Sequence, residues 1–141
     1  MKIKKATKKD IPKIIQLFKT CFSSAWKKTG RKFHPLYVSA QLKKALEKDL
    51  LVKIEKTGEL IAFGWAGKQT DFLGNRFGEI KLVLVHPDYQ NKKIGTILLK
   101  VLEKRLKTKD WRLFVLSFNK ARKLYKEHGY VPFGLTFRKK N

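Results

Sequence analysis

The sequence is poor in the residues that build disulfides and metal sites. Cys21 is the only cysteine among 141 residues, which excludes an internal disulfide and a site made of several thiolates. Its neighbours Phe18 and Phe22 are typical of a small buried side chain rather than of a nucleophile. The three histidines lie far apart, with none of the spacings of metal ligands, so the sequence predicts no metal site.

Long apolar runs are also absent. No stretch reaches the length of a membrane-spanning helix, and the lysine-rich N-terminus lacks the apolar core of a secretory signal peptide. We therefore expect a cytoplasmic protein without a membrane partner. The hydrophobic content of 43% is that of a globular protein, and the length predicts one domain over residues 1–141.

Acidic residues are scarce as well. The chain has 11 of them against 34 lysines and arginines, which gives a formal net charge of +23. Charge of this sign attracts polyanions such as nucleic acid. The lysines are spread from Lys2 to Lys140, however, and a lysine-rich coding bias predicts the same pattern. The charge therefore permits a nucleic-acid partner without requiring one.

The most informative stretch is 80–101, which reads IKLVLVHPDYQNKKIGTILLKV. The aliphatic run at 82–85 predicts a strand that ends near Pro87, because proline has no N–H to offer a sheet. Apolar residues at helical spacing begin at Ile97, so the polar segment 90–96 would link the strand to the start of a helix. Free N–H groups at a helix N-terminus favour an anion. An ordinary strand–helix connection has the same pattern, and both interpretations stand on these residues alone.

Periodicity predicts a mixed α/β (α+β) fold with the order β-α-α-β-β-β-α-β-α-β. Strands are predicted at residues 1–6, 50–55, 60–66, 77–85 and 111–116, with a last short or broken strand at 130–137. Helices are predicted at residues 7–22, 38–48, about 97–107 and 119–128. The central meander implies a mostly antiparallel sheet with helices on both faces. Thr7 and Asp10 form a variant of the capping box that opens the first helix.

The segment 23–37 is the least regular part of the sequence. Trp26, Phe33 and Tyr37 are interleaved there with lysines and arginines, and Gly30 interrupts any regular element. Such interleaving suits stacking on a nucleic-acid strand, but aromatic side chains also pin a loop to a hydrophobic core. From the sequence we favour the second interpretation, a loop whose aromatic side chains pack on the hydrophobic core.

Two motifs resemble those of the GCN5-related N-acetyltransferase (GNAT) family. That family carries Val-x-Pro at a strand end, followed by Gln/Arg-x-x-Gly-x-Gly/Ala at a helix start; here residues 85–95 read VHPDYQNKKIG. Its second motif, Asn-x-x-Ala-x-x-x-Tyr-x-x-x-Gly-Phe/Tyr, corresponds to NKARKLYKEHGY at 119–130, apart from a one-residue shift around the alanine. The separation of the motifs and the order of elements agree over the whole chain. The sequence is identified as a member of this family.

The resemblance implies acetyl-CoA as the acetyl donor. It also implies that the strand before the loop separates from its parallel neighbour and that the pantetheine arm enters the gap. The strand residues expected to bind this arm are Val83, Leu84 and Val85. The residues expected to cradle the pyrophosphate are Gln90, Asn91, Lys92, Lys93, Ile94, Gly95 and Thr96. Asn119 is expected to contact the pantetheine arm, and Tyr125 to lie near the thioester sulfur.

The chain departs from the family pattern at Lys93, which replaces the first glycine of the motif, while Asn91 stands where glycine is also frequent. Glycine serves where φ is positive or where the backbone approaches a ligand. A lysine there either strains the loop or reaches a phosphate with its ammonium group. We expect binding to be retained, since backbone amides do most of the cradling.

An amine must be neutral to attack a thioester, and free alkyl amines have pKa values of about 10. By the resemblance, Glu79 on the strand before the loop is the candidate base. Tyr125 is the candidate hydrogen-bond donor to the leaving thiolate. The residues expected to line the acceptor site are Trp26, Phe33 and Tyr37.

The sequence thus predicts an enzyme that transfers the acetyl group of acetyl-CoA directly to a primary amine of a small molecule or peptide, as a monomer or homodimer. The alternative is a catalytically weak, basic binding module of the same fold that docks on nucleic acid or the ribosome. Acetyl-CoA turnover and salt-dependent nucleic-acid binding separate the two.

Overall fold

The computed structural model describes residues 2–22 and 24–141; predictions that fall on Met1 and Ser23 lie outside this part. Within it, the strands β1–β5 span Ile3–Lys5, Leu50–Lys56, Glu59–Thr70, Arg76–Val85 and Trp111–Leu113. The helices α1–α5 span Ile11–Cys21, Ser24–Lys27, Pro35–Lys48, Ile94–Leu106 and Arg122–Glu127. Short 3-10 turns occupy Lys8–Asp10 and Pro87–Tyr89. The order of elements follows the prediction up to the last strand, with α2 as an additional short helix.

The five strands form one sheet in the order β1-β2-β3-β4-β5. Pairing is antiparallel from β1 to β4, whereas β5 runs parallel to β4, which confirms a mixed, mostly antiparallel sheet. The pairing of β3 with β4 shifts by one residue, since Ala66 lies opposite Ile80 but Trp65 lies opposite Leu82. Lys81 is therefore the extra residue of a β-bulge. After this bulge, each β4 residue directs its backbone N–H and C=O groups toward the edge of the strand opposite to the one it would face without the extra residue.

Helices cover both faces of the sheet, as predicted. On one face, α1 and α3 bury a cluster that includes Ile14, Leu17, Leu42 and Phe63. On the other face, α4 packs in a cluster that includes Leu98, Leu99, Leu102, Val52 and Ile61. None of the helices in the described part of the chain is long and apolar enough to cross a membrane.

The predicted capping box at Thr7 and Asp10 is confirmed. The N–H of Thr7 donates to Oδ2 of Asp10 at 2.7 Å, and Nζ of Lys53 donates to Oδ1 at 2.7 Å. Burial opposes ionisation of Asp10, but the hydrogen bonds from Lys53 and Thr7 outweigh it and lower the pKa of this carboxyl. The start of α1 is thereby fixed to β2.

The C-terminal part of the chain differs from the predicted secondary structure. β5 ends at Leu113 rather than at residue 116, and residues 130–137, predicted as the last strand, form none. Pro132 has no N–H to donate to a neighbouring strand, and a glycine at position 134 loses more backbone entropy in a strand than other residues. Residues 131–141 are exposed along their whole length. α5 is also shorter than the predicted helix and begins at Arg122.

Candidate active site

β4 and β5 separate near the middle of β4. Their parallel pairing ends where Ile80 lies opposite Leu113, whereas β4 continues to Val85. The space beyond this last pair is called the β4/β5 opening below. Because β5 no longer pairs with it there, one edge of β4 keeps unpaired backbone groups along the opening.

The backbone groups of Val83 and Val85 face the β4/β5 opening. The N–H of His86 donates to the carbonyl of Ile61 in β3 at 2.8 Å, and Leu84, two residues earlier in the same pairing, directs its backbone groups toward β3 as well. The residues between them, Val83 and Val85, therefore direct their N–H and C=O groups away from β3. Of the three strand residues predicted to bind the pantetheine arm, Val83 and Val85 border the opening in this way and Leu84 does not.

The carbonyl oxygen of Val85 is already engaged. Sγ of Cys21 donates to it at 3.3 Å, and Nε2 of Gln90 donates to it at 3.1 Å. Burial raises the pKa of the Cys21 thiol to about 11, so the thiol is protonated and acts as a donor at neutral pH. The groups of β4 left for a ligand are therefore those of Val83 and the N–H of Val85.

The segment 90–96 ends in N–H groups that have no helical partner. The first hydrogen bond at the start of α4 runs from the N–H of Ile97 to the carbonyl of Lys93 at 3.1 Å, so the N–H groups of residues 94–96 find no acceptor inside the helix. Gln90 differs, because its N–H donates to the carbonyl of Pro87 at 3.4 Å. The start of α4 thus offers the free donors and the positive dipole end that bind an anion.

Asn91 and Lys93 both adopt the left-handed conformation, with φ of 64° and 63°. Glycine reaches this conformation at little cost, whereas a residue with a Cβ is strained by about 1 kcal/mol or more. The geometry explains why the motif carries glycine at the position of Lys93. The Lys93 side chain is exposed and forms no ion pair with the described residues, so its ammonium group is available to a phosphate.

Tyr125 lies on α5, which packs against the first turn of α4. A Cβ added at Gly95 would come within 3.3 Å of Cδ2 of Leu124, so glycine permits this close approach. The Tyr125 ring packs against the core between the sheet and α4 and meets the Tyr130 ring edge-on, with centroids 6.0 Å apart. Burial raises the pKa of Tyr125, so its hydroxyl stays protonated at neutral pH and can donate a hydrogen bond.

Glu79 is half-buried and lies one residue before the last pair of β4 with β5. It is flanked in the sheet by Gly67 of β3 and Arg112 of β5. The Arg112 guanidinium binds Asp71 at 3.1 Å and Asp110 at 2.9 Å. Among the residues that the structure describes, no ion pair involves Glu79. Glu79 therefore stands at the closed end of the β4/β5 opening without a basic partner.

Asn119 lies in the turn between β5 and α5. Its Oδ1 accepts the N–H of Ala121 at 2.9 Å, and its own N–H donates to the carbonyl of Leu116 at 2.9 Å. The side chain still has its NH₂ group to offer to a ligand carbonyl. A cavity of about 450 Å³ lies beside it.

The predicted acceptor residues divide into two groups. The Phe33 ring meets Phe18 of α1 with centroids 4.6 Å apart, and Trp26 meets Phe22 at 6.4 Å. Tyr37, in the first turn of α3, is 67% exposed and joins no aromatic pair in the described part of the chain. The structure therefore brings Trp26 and Phe33 together at the C-terminal end of α1 and leaves Tyr37 outside this group.

The segment that carries these aromatics contacts the end of β4 and the chain that follows β5. At the β4 border, Cys21 donates to the carbonyl of Val85. Beyond β5, Nζ of Lys28 lies 5.9 Å from the centroid of the Phe118 ring. The end of α1 and the described residues after it, referred to below as the α1–α2 segment (residues 18–22 and 24–33), thus contact both the end of β4 and the chain that follows β5.

The sequence profile described as the Acetyltransferase (GNAT) family matches residues 11–130, most of the chain. The chain belongs to the GNAT acetyltransferase family. The matched residues include both borders of the β4/β5 opening, the segment 90–96 and Tyr125. No curated protein matches the sequence.

Solved structures share this GNAT fold over their whole length. The tetramutant BH1408 protein of Bacillus halodurans has a TM-score of 0.82 at 18% identity, with 100% of each chain covered. The aminoglycoside antibiotic 6'-N-acetyltransferase of Acinetobacter haemolyticus has a TM-score of 0.78 at 14% identity, with 100% of this chain and 99% of that chain covered. The ribosomal-protein-alanine N-acetyltransferase of Brucella melitensis biovar Abortus 2308 has a TM-score of 0.73 at 17% identity, with 100% of each chain covered. At these identities the likeness shows the fold alone.

Three contacts of this GNAT site have no signal in the sequence. The Cys21 thiol bonds to Val85, Lys28 reaches Phe118, and the Tyr130 hydroxyl donates to Oε2 of Glu103 in α4 at 2.7 Å. Each joins residues that are at least 27 positions apart, and neither periodicity nor motif spacing pairs such residues. Their effect is to fix the borders of the opening and the chain that follows α5.

Proposed function

We propose that this GNAT protein transfers the acetyl group of acetyl-CoA directly to a primary amine. One observation carries the proposal: the β4/β5 opening has unpaired backbone groups along β4 and leads to the free N–H groups at the start of α4. A ligand with amides along its length and phosphates at one end suits this arrangement. The pantetheine arm and the pyrophosphate of acetyl-CoA have this chemistry.

The residues present fit acetyl-CoA. The groups of Val83 and the N–H of Val85 would pair with pantetheine amides, because β5 does not use them. The N–H groups of residues 94–96 would hold phosphate oxygens, with Lys92 and Lys93 adding positive charge. When bound, acetyl-CoA supplies an acetyl group activated as a thioester.

In this proposal Glu79 accepts the proton that the amine must lose. Glu79 forms no ion pair among the described residues, so no cation occupies its carboxylate. Proton transfer to Glu79 runs directly or through one water, depending on the reach of the acceptor. The neutral amine then attacks the thioester carbonyl.

Tyr125 donates a hydrogen bond to the sulfur that leaves. Its hydroxyl is protonated at neutral pH because burial raises its pKa. A donor fixed in place before the reaction stabilises the negative charge that develops on the sulfur. The sulfur can leave as a thiolate without taking the tyrosine proton, because an ordinary thiol, with a pKa of about 8.5, is a stronger acid than tyrosine at about 10. Asn119 would orient the pantetheine arm through its side-chain NH₂ group.

We propose that the acceptor amine binds next to the α1–α2 segment, where the rings of Trp26 and Phe33 lie close together. The fold-related enzymes are named for an aminoglycoside and for the alanine of a ribosomal protein. For this chain we propose a small-molecule or peptide amine with an apolar or aromatic portion that contacts the two rings.

Release of free CoA in the presence of candidate amines tests the proposal. The amines are polyamines, amino acids, peptides, aminoglycosides and ribosomal proteins, and the control is thioester hydrolysis without an amine. We expect one amine class to accelerate CoA release and to gain one acetyl group by mass. Acetyl-CoA binding without turnover on any amine would contradict the proposal and favour the catalytically weak module. A ping-pong kinetic pattern would contradict direct transfer.

A further inference from the structure

A separate cavity of about 380 Å³ lies at the N-terminal end of β4. It is lined by Lys68, Arg76, Phe77, Lys107, Thr108 and Lys109. We propose that this cavity, the basic cavity below, binds phosphate groups of a single-stranded nucleic acid and that Phe72, at the tip of the adjoining hairpin, stacks on one of its bases. The inference does not depend on acetyl transfer.

The basic cavity carries uncompensated positive charge. Four of its six lining residues are cationic and none is acidic. None of the four forms a salt bridge within residues 2–22 and 24–141. Asp71 and Asp110, which lie near them along the chain, both bind the guanidinium of Arg112, and Glu79, three residues after Arg76, forms no salt bridge with any of the four. An anion is the ligand that this potential attracts.

The C-terminal end of α4 borders the basic cavity without cancelling its charge. Lys104 and Arg105 lie in the last turn, where cations offset the negative end of the helix dipole. Lys107 follows in the left-handed conformation with φ of 51°, and its N–H donates to the carbonyl of Glu103 at 3.2 Å. A lysine held in this strained conformation directs the chain from α4 into the cavity wall.

The β3–β4 hairpin, which supplies Lys68 and Arg76 to the basic cavity, carries exposed apolar side chains at its tip. Its strands pair out to Thr70 opposite Arg76, and the tip is ordered because Oδ1 of Asp71 accepts the N–H groups of Leu73 and Asn75 at 3.0 and 2.9 Å. Phe72 is 97% exposed on this tip, and Leu73 is 73% exposed. An aromatic ring beside a group of cations is the arrangement that binds single strands, whose bases are free to stack.

The basic cavity and the segment 90–96, the proposed phosphate-binding part of the acetyl-CoA site, lie at opposite ends of β4. Lys68 is paired with Gly78 near the start of the strand, whereas the segment 90–96 follows its end at Val85. The rise of a strand places about 20 Å between Gly78 and Val85. The basic cavity is therefore separate from the proposed phosphate site of acetyl-CoA, although the proposed base Glu79 follows Gly78 directly in β4. A cavity variant can be checked for an intact fold through acetyl-CoA binding.

Fluorescence anisotropy with a labelled single strand of about twelve nucleotides, as RNA and as DNA, tests the inference over a range of salt. The variant is Lys68→Gln with Arg76→Gln. Its matched control is Lys43→Gln with Lys44→Gln, which removes the same charge from the exposed face of α3. The loss of two phosphate contacts should lower the slope of log affinity against log salt by about 1.4, whereas the control should keep the parent slope.

Phe72→Ala tests the stacking contact, with Phe137→Ala as the control because that ring is 90% exposed and is not among the residues that line the cavity. We expect Phe72→Ala to weaken single-strand binding by about fivefold or more and to leave duplex binding unchanged. Melting temperatures with and without acetyl-CoA report whether each variant is folded. If Lys68→Gln with Arg76→Gln fails to fold, Lys107→Gln with Lys109→Gln replaces it.

Three results would overturn the inference. The first is an equal loss of affinity and of salt slope in the cavity variant and in its control. The second is parental single-strand binding by Phe72→Ala. The third is binding of pyrophosphate that the cavity variant abolishes, while the cavity and Phe72 variants leave oligonucleotide affinity unchanged. That result would assign the cavity to small phosphates.

Discussion

The Sγ atom of Cys21 lies 3.3 Å from the carbonyl oxygen of Val85, to which it donates a hydrogen bond. Cys21 is the last residue of α1 and Val85 the last of β4. The bond therefore joins the helix that carries the aromatic α1–α2 segment to the strand that borders the β4/β5 opening. The acceptor side and the donor side of the proposed reaction meet at this contact.

We expect Cys21 to react slowly with thiol reagents, since only the thiolate reacts. Burial raises its pKa to about 11, so about one thiol in a thousand is ionised at about pH 8, against about one in four at an ordinary pKa of 8.5. The rate should rise about tenfold per pH unit until the pH approaches this pKa. Rates with a disulfide reagent, compared with those of the urea-unfolded chain, measure this. Equal rates at about pH 8 would refute it.

Replacing Lys93 by glycine is expected to stabilise the protein. The left-handed conformation strains a residue with a Cβ by about 1–2 kcal/mol, and the greater freedom of glycine in the unfolded chain offsets about 0.4–1 kcal/mol of the relief. Urea unfolding should show a net gain of about 0.5–1 kcal/mol. Lys92→Gly is the control, because Lys92 has no positive φ and its replacement should bring no gain. A loss of stability in Lys93→Gly would show that its conformation is not strained.

The same variant decides whether Lys93 contacts a phosphate. If its ammonium group binds one, Lys93→Gly should weaken CoA binding, and the loss should shrink at high salt because the contact is electrostatic. Dissociation constants for CoA and dephospho-CoA show which phosphate is involved. Unchanged affinity for both would mean that the side chain points to solvent.

Tyr125→Phe removes the hydroxyl proposed to serve the leaving sulfur and keeps the ring in the core. If the hydroxyl acts mainly in the transition state, kcat and kcat/KM should fall together by about 10²- to 10⁴-fold, while acetyl-CoA affinity stays unchanged. Tyr130→Phe is the control: loss of its hydrogen bond to Glu103 should cost about 1 kcal/mol of stability but little activity. A folded Tyr125→Phe protein with a rate within about twofold of the parent would assign Tyr125 to the core alone.

Glu79→Gln should change the pH dependence of the reaction. Without the base, the reaction depends on amine that is already neutral, so the rate should be low near neutral pH and recover as the pH approaches the amine pKa of about 10. The exposed Glu47→Gln on α3 is the control and should keep the parent profile. A uniform decrease at every pH would show that Glu79 positions the substrate instead of accepting its proton.

Elements with local signals were predictable from the sequence. The capping box at Thr7 marks the start of the first helix, and the apolar spacing of α1 and α4 follows the helical repeat. The turn between β2 and β3 was also predicted, and there Thr57 and Gly58 both take positive φ. The free N–H groups of residues 94–96 were predictable because a helix start always leaves N–H groups without partners, whereas the engaged N–H of Gln90 was not.

Features that depend on distant pairing were not predictable. The bulge at Lys81 decides that Val83 and Val85, and not Leu84, face the opening, and it follows from the register of β3 against β4. Residues 131–137 alternate as a strand does, but a strand needs a partner, and β5 ends at Leu113. The grouping of Trp26 and Phe33 around α1 is likewise a tertiary contact.

The central claim is that acetyl-CoA binds along β4 with its phosphates at the start of α4. Titration of isotopically labelled protein with acetyl-CoA, followed by backbone amide NMR shifts, tests it most directly. We expect the largest shifts at Val83, Val85 and residues 94–96, with little change at the hairpin tip 71–75. Saturating acetyl-CoA that leaves the amides of residues 94–96 unshifted, or that shifts the basic cavity around Lys68 instead, would contradict the account.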